Sequence, residues 1–384
     1  MKILHICMNA PFTENYSYQD NLLTEYQHKQ GHEILIVTTT RTRNSNGEIV
    51  NVEPGKKVLD NGTVLLRMEL PNKIFTVFGI YPKLTKIMES YIPDMVFIHG
   101  LCSCIPSQAI NYKKKHPKTH IVADNHQDLG TTKVKGFPFA WVMALHRLGW
   151  KKWIHNIDRV YGTTSWRKTF AHDFYGIPYE KLDILIMGID SDKNPGDSND
   201  VRINIRQELN IPENTFVFVT GGKLDNNKNI ILAMKSFMRI KSENVCFLIF
   251  GSIADEIKND FFKMVDSDKR FIYIGYIKSS DVRQFFYASD FGVFPGRHSV
   301  LWEEAIGSGL PCLFRRYEEK DHTEVCDNCI CLRDMNEDMI YDVMKNILED
   351  KQRYMEMKFN AQKAAKTFSY HVIASKSVEC FINS

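Results

Sequence analysis

The chain has 384 residues, 43% of them hydrophobic and 25% charged, with a formal net charge of +3. This balance excludes an extensively disordered chain, and the length exceeds what one hydrophobic core usually serves, so two domains are expected. No apolar run reaches membrane-spanning length. The opening Met-Lys-Ile-Leu-His-Ile is too short for a signal segment and reads as a first strand, which points to a cytoplasmic protein.

The charge is uneven. Between Leu101 and Lys168 there are twelve Lys/Arg against three Asp, together with Trp141, Trp150, Trp153 and Trp166. Basic and aromatic residues together suit an anionic membrane surface or a lipid-linked substrate, so peripheral contact with the inner face of the plasma membrane is expected through residues 133–168. A solvated basic face with tryptophans partly in the core fits the same residues. On a helical wheel Trp141, Leu145 and Leu148 share a side, but Lys152 falls on it too, so this is no clean amphipathic anchor. The nine cysteines are odd in number and scattered, unlike a disulfide framework. His322, Cys326, Cys329 and Cys331 have zinc-like spacing. However, Cys329 and Cys331 alternate with Ile330 and Leu332 in what reads as a short buried strand, where free cysteine is common. No metal and no cofactor is expected.

In chain order, Lys2–Cys7 reads as a strand, Asn9 to Gln19 as a polar loop, Asn21–Gln30 as a helix ended by Gly31-His32, and Glu33–Thr39 as a second strand. Strand, loop, helix, strand opens a doubly wound sheet. No Gly-x-Gly-x-x-Gly follows the first strand, which removes the main support for a dinucleotide-binding oxidoreductase. Ile92–Gly100 holds another strand. His120–Asn125 is the next, and it delivers Asn125-His126-Gln127-Asp128 to a strand's carboxyl end, where such sheets keep their chemistry; His126 could equally cap the segment that follows. Val160–Thr163, Leu182–Ile186 and Gly188–Asp190 are further extended runs. Ser191–Asp200, rich in Asp, Asn, Gly and Pro, reads as a linker.

After it the pattern restarts. Phe216–Thr220 runs into Gly221-Gly222-Lys223 and on to Lys228-Asn229, followed by a helix over Ile230–Ile240. Val245–Gly251 and Phe271–Gly275 are strands ending in glycine. Phe291–Phe294, a Pro-Gly turn and a polar loop then lead into a helix carrying Glu303 and Glu304, closed by Gly307 and Gly309 before Pro311. Loop amides and a helix start at a strand's carboxyl end suit an anionic ligand, and a carboxylate one turn into the helix can accept two ribose hydroxyls. An ordinary βα turn also wants Gly and Pro. Lys223 and Lys228 flank a Gly-rich turn, so two ammonium groups could meet one diphosphate; two solvated lysines would look alike. Two α/β units in tandem imply an interdomain cleft. From Met339 the chain is largely helical, and Phe368–Phe381 reads as a last amphipathic helix.

Taken together, these residues resemble the retaining nucleotide-sugar glycosyltransferases of family 4, over nearly the whole length. Gly222-Lys223 with Lys228 looks like the family's phosphate motif, and Phe291–Pro295 with Glu304-Ala305 and Gly309-Leu-Pro311 looks like its glutamate motif. Tyr18-Gln19-Asp20-Asn21 and Pro295-Gly296 with Ser299 suggest its bacterial surface-polysaccharide branch. The resemblance implies an α/β GT-B fold, two Rossmann-like doubly wound domains facing each other across a cleft. The acceptor-side domain would span 1–190, the linker 191–200 and the donor domain 201–365, with a crossover helix at about 366–384 returning to the first domain.

It also implies roles. Lys223 and Lys228 would stabilise the leaving diphosphate and His126 would orient the donor sugar. Gly222, with backbone N–H near His298, Ser299 and Val300, would meet the phosphates; Glu304 would hold the ribose, and Tyr276 and Ile277 would sit by the base. Tyr18, Gln19, Asp20 and Asp128 belong to the first loop and acceptor side. The family usually carries two glutamates eight positions apart, and counting back from Glu304 lands on Gly296, so an altered sugar pocket is expected. The implied function is metal-independent, retaining transfer from a nucleoside diphosphate sugar, UDP favoured, to a glycan or lipid-linked acceptor. No nucleic acid partner is expected. Two readings compete: a GT-B sugar-nucleotide epimerase, and a catalytically silent nucleotide-sugar-binding assembly subunit.

Overall fold

A computed structural model describes residues 1–44, 46–128 and 137–382. The chain forms two compact units, one of Met1–Ile186 with the segment from Ile373 onward, the other of Met187–Val372. The first contains β1 (Lys2–Cys7), α1 (Gln19–Lys29), β2 (Glu33–Thr39), the ribbon β3 (Arg41–Arg43) and β4 (Ile49–Asn51), β5 (Gly55–Val58) and β6 (Val64–Met68). After these come α2 (Lys73–Phe78), α3 (Leu84–Tyr91), β7 (Met95–His99), α4 (Ile105–Lys113), β8 (His120–Asn125), α5 (Phe137–Trp153), β9 (Arg159–Gly162), α6 (Ser165–Tyr175) and β10 (Leu182–Ile184). The main sheet runs β10-β9-β8-β7-β1-β2-β6-β5 and is parallel except for β5.

Its central strands are covered on both faces, so they read as almost unbroken apolar runs: Ile3, Leu4, Ile6, Val96, Phe97 and Ile98 are all fully buried. His5 lies inside the first run and is fully buried as well. Strand order reverses between β1 and β7, and such a switch point opens a crevice at the strands' carboxyl ends.

The second unit contains α7 (Ser198–Glu208), β11 (Phe216–Gly221), α8 (Ile230–Met238), β12 (Val245–Phe250), α9 (Asp255–Ser267), β13 (Phe271–Tyr273) and α10 (Val282–Tyr287). It continues with β14 (Phe291–Phe294), α11 (Leu301–Gly307), β15 (Cys312–Arg315), β16 (Cys329–Leu332), α12 (Glu337–Glu349) and α13 (Lys351–Ala365). The sheet is wholly parallel, in the order β13-β12-β11-β14-β15-β16, and its switch point lies between β11 and β14. Phe218, Phe237, Phe247, Phe271 and Phe291 form its aromatic centre. The last helix, α14 (Tyr370–Ile382), passes from the second unit into the first. There Ser377 and Ser375 accept from Gln27 and Gln30 of α1, and Lys376 donates to the Ile184 carbonyl.

Three expectations need correction. The run read as a linker over 191–200 ends early: Asp197 accepts from the N–H of Asn199 and Asp200 and caps α7, because a short polar side chain that breaks a loop can equally start a helix. Gly188–Asp190 forms no strand, only an isolated bridge between Ile189 and Ser369. The tryptophans are not one surface: Trp150 is fully buried and donates to the Leu101 carbonyl, whereas Trp141 is 58% exposed. Part of the basic stretch, residues 133–136, lies outside the described residues.

Helix α7 is anchored by charge. Arg206 is 3% exposed and donates to Asp290 Oδ2 at 2.7 Å; Arg202 donates to Oδ1 at 2.7 Å. The same carboxylate accepts the Val217 N–H of β11. Asp290→Ala leaves a buried guanidinium without its counter-charge. It should cost about 3–5 kcal/mol, read as a lower denaturation midpoint in urea.

Candidate functional site

Two loops meet at the switch point of the second unit. One follows β11 and carries Gly222, Lys223 and Lys228; the other follows β14 and carries Pro295 to Val300. Asn229 Nδ2 donates to the Pro295 carbonyl, and the Arg297 N–H donates to the Asn227 carbonyl at 2.7 Å. The Lys228 ammonium donates to the carbonyls of Arg297 and His298. Burial lowers its pKa to about 8, with Asp225 and Glu303 partly opposing that shift. Lys228 thus ties the two loops together, while Lys223 is exposed.

Gly296 sits where the loops touch. A Cβ there would lie 2.3 Å from the Cα and carbonyl carbon of Lys228 and 2.4 Å from the Asn227 oxygen. The position that the family resemblance fills with a carboxylate is therefore closed to any side chain by backbone.

The helix that follows is only seven residues long, so its dipole is too small to organise an anion alone. Its two glutamates face different ways. Glu304 accepts from Arg283 Nε at 3.2 Å and Nη2 at 3.1 Å through one oxygen; burial raises its pKa against the Arg283 charge. Glu303 is fully buried and accepts from His298 Nε2 at 2.8 Å and His322 Nε2 at 2.9 Å. Burial alone would raise its pKa, but the two imidazoles outweigh it and hold the carboxyl well below the usual range. The His298 N–H, expected near a phosphate, instead donates to Tyr317 Oη at 3.1 Å. Ser299 is half-buried and Val300 44% exposed. Tyr276 is 77% exposed beside half-buried Ile277, after Gly275 at φ +74°.

In the first unit the polar residues gather at the carboxyl ends of β1, β7 and β8. His126 Nε2 is 3.3 Å from Asp124 Oδ2, short of an aligned hydrogen bond. Asp128 lies 3.5 Å from Arg167. Asp20 is 3.5 Å from His99 Nδ1. Tyr18 is 51% exposed, and Gln19 is buried with neither amide atom bonded among the described residues. Glu303, His298 and His322 and, separately, Asp20, His99 and His126 are close enough to suggest cation ligands. In the first trio both imidazole nitrogens are spent on one glutamate oxygen, and in the second His99 Nδ1 is spent on Asp124 at 2.7 Å. Each trio also keeps a buried atom with no hydrogen-bond partner among the described residues, Glu303 Oε2 in the first and His126 Nε2 in the second. Of the cysteines, Cys329 and Cys331 lie in β16 beside β15, Cys331 also lies close to Asp321 and Glu324, and Cys326 is exposed.

No protein-family model and no curated protein matches the sequence. Solved structures do match. A glycosyltransferase from Rickettsia africae ESF-5 superposes with a TM-score of 0.71 at 12% identity, covering 100% of this chain and 98% of that one. Anabaena Alr3699/HepE in complex with UDP gives 0.69 at 13%, covering 100% of both chains. The chain has the GT-B fold. A putative UDP-N-acetylglucosamine 2-epimerase from Listeria monocytogenes shares this fold more distantly, at 0.57 and 13%, covering 100% of this chain and 97% of that one.

Sequence reasoning passed over Glu303, His5, His99 and Asp124. The signal available was a histidine inside an apolar strand run, as in Lys2–Cys7 and Met95–His99. Restoring the missing carboxylate tests the loop contact. Gly296→Glu should push the two loops apart, costing about 1–3 kcal/mol of stability measured by calorimetry.

Proposed function

We propose that this chain is a retaining glycosyltransferase that moves a sugar from a nucleoside diphosphate sugar, UDP favoured, to a glycan or lipid-linked acceptor in polysaccharide or glycoconjugate synthesis. The observation that carries this reading is the tie across the second switch point: a half-buried ammonium, Lys228, joins two strand-end loops, with Glu304 on the helix that follows. The HepE structures, solved with UDP and with UDP-glucose, support a uridine nucleotide as the ligand of such a fold.

In this reading the diphosphate takes the Lys228 ammonium, which exchanges carbonyl partners for phosphate oxygens as the glycosidic bond breaks. Preorganised charge at a leaving group is worth about 3 kcal/mol per well-aimed donor. Exposed Lys223 reaches the same phosphates through its long stem, Gly222 lets the backbone approach, and Glu304 accepts from the ribose with Arg283 holding its orientation. His126 orients the donor sugar. The cation supplied by lysine makes a metal unnecessary for leaving-group stabilisation. An epimerase would need acid and base carboxylates around the sugar, and Gly296 has no space for one.

Incubation with UDP-, GDP-, ADP- and CMP-sugars plus a lipid extract should give transfer from a UDP-sugar. Isomerised free donor would favour the epimerase, and binding without turnover the silent subunit. Lys228→Ala should lower turnover by a factor of about 100. Because the half-buried ammonium loses its proton as pH rises through about 8, kcat/KM for the donor should fall above that pH.

Membrane contact belongs to the same proposal. Trp141, Leu145 and Leu148 are 58%, 36% and 64% exposed along α5, and Lys151 and Lys152 are exposed beside them. No helix among the described residues is long and apolar enough to cross a membrane. Replacing Lys151 and Lys152 with Glu should release the protein from phosphatidylserine vesicles. Undiminished co-sedimentation would leave α5 a plain solvated surface.

A further inference from the structure

Beneath His126 the first unit holds a chain of buried polar groups whose proton positions can be worked out one after another. It begins on the terminal helix. The Ser377 hydroxyl donates to the Ala374 carbonyl at 2.6 Å, so its oxygen can only accept from Gln27 Nε2, 2.8 Å away. That orients the amide: Gln27 Oε1 faces His5 Nε2 at 2.7 Å, and this nitrogen must carry a proton. A neutral His5 then has a bare Nδ1, and its partner 3.0 Å away, His99 Nε2, must donate. His99 Nδ1 meets Asp124 Oδ2 at 2.7 Å. The remaining Asp124 oxygen accepts the Gly100 N–H at 2.9 Å. Gly100 reaches it at φ +89°, where a Cβ would lie 2.5 Å from Asn9 Nδ2.

We propose that this chain, Ser377–Gln27–His5–His99–Asp124, holds His99 as a permanent imidazolium against an ionised Asp124, and that the anion so fixed, 3.3 Å from His126 Nε2 without an aligned hydrogen bond, selects the Nε2–H tautomer of His126 by its charge. Its Nδ1 lone pair then faces away from Asp124. His5, His99, Gln27 and Ser377 are positioning residues, acting on His126 through Asp124. The inference rests on the reading of His126 as the residue that orients the donor sugar.

The surroundings agree. Every group from Ser377 to Asp124 is at most 4% exposed, so no water competes for these bonds. Besides His5 and Asp124, the groups facing His99 are Cys7 on β1 and Asp20 on α1, with His126 on the far side of Asp124. Burial opposes the His99 charge, but the Asp124 carboxylate, with Asp20 farther off, outweighs it and raises its pKa well above the ordinary value. Burial and the charge on His99 lower the His5 pKa. Burial raises the Cys7 thiol to about 12, so it stays neutral at pH 7.

The test is two-bond proton–nitrogen correlation NMR on the full chain labelled with 15N-histidine. His99 should show two protonated nitrogens at every pH from 6 to 9, and His5 a proton on Nε2 only. His126 should show its proton on Nε2 at pH 8. A His99 with one bare nitrogen at pH 7, or a His5 protonated on Nδ1, overturns the proposal. Gln27→Leu removes the acceptor that sets the polarity. It should move the His5 proton to Nδ1, strip His99 of its Nε2 proton and lower turnover about tenfold with little change in donor KM. Unchanged spectra in that variant also overturn it. His126→Ala separates the two readings: undiminished turnover would reject the sugar-orienting role while the His5 and His99 signals stay as in the parent chain.

Discussion

Everything at the second switch point depends on backbone filling the space beside Gly296. Because Lys228 Cα and carbonyl carbon lie where a Cβ would be, the loops after β11 and β14 approach closely enough for the Arg297 N–H to reach Asn227 O and for the Lys228 ammonium to cap two carbonyls. A glutamate at 296 and this loop-to-loop tie are mutually exclusive. Where the resemblance would put a carboxylate, backbone contact positions the Lys228 ammonium instead.

The same helix shows how adjacent residues divide work. Trp302, stacked on Phe314 at 4.6 Å, fixes the phase of α11. With that phase set, Glu303 turns into the unit and Glu304 toward Arg283. Glu303 accepts from His298 and His322, and His298 packs edge-on against Trp302 at 5.1 Å. The inner carboxylate therefore holds the loop by its side chains, while Lys228 and Tyr317 hold it by its backbone. Few degrees of freedom remain to the 296–300 segment, and a site that binds charge with little reorganisation needs that rigidity.

The GT-B fold was legible because it is written in local signals: apolar strand runs, glycines at strand ends and helices at regular intervals. Much of the candidate second site was readable for the same reason, since Gly222, Lys228 and Glu304 belong to contiguous strand–loop–helix stretches. What stayed hidden needed long-range pairing. Glu303 looked like its neighbour Glu304, and only the packing of Trp302 distinguishes them. The Ser191–Asp200 run carries loop composition, yet Asp197 starts a helix whose arginines, Arg202 and Arg206, find Asp290 88 and 84 residues later. His5 and His99 lie 94 residues apart in sequence, and nothing local in either strand names the other.

That hidden pairing follows from register. Parallel pairing of β7 with β8 sets His99 opposite Asp124, and pairing of β1 with β7 sets His5 opposite Phe97. His5, Phe97 and His99 consequently stack on one face of the sheet, with ring centroids about 5 Å apart. A one-residue slip of β1 against β7 would send the histidines to opposite faces, and a slip of β7 against β8 would take Asp124 from His99, in either case leaving buried polar groups without partners. Buried polar groups are costly unless every donor finds an acceptor. Here α1 and α14 supply the last acceptors, Gln27 and Ser377, so the network penalises misregistered sheets far more than it stabilises the correct one. A device that enforces register also delivers, at its outer end, a carboxylate of fixed charge and direction. The first unit's strand ends therefore acquire an ordered ionic group, held by His99 of β7 and by the Gly100 N–H just after it.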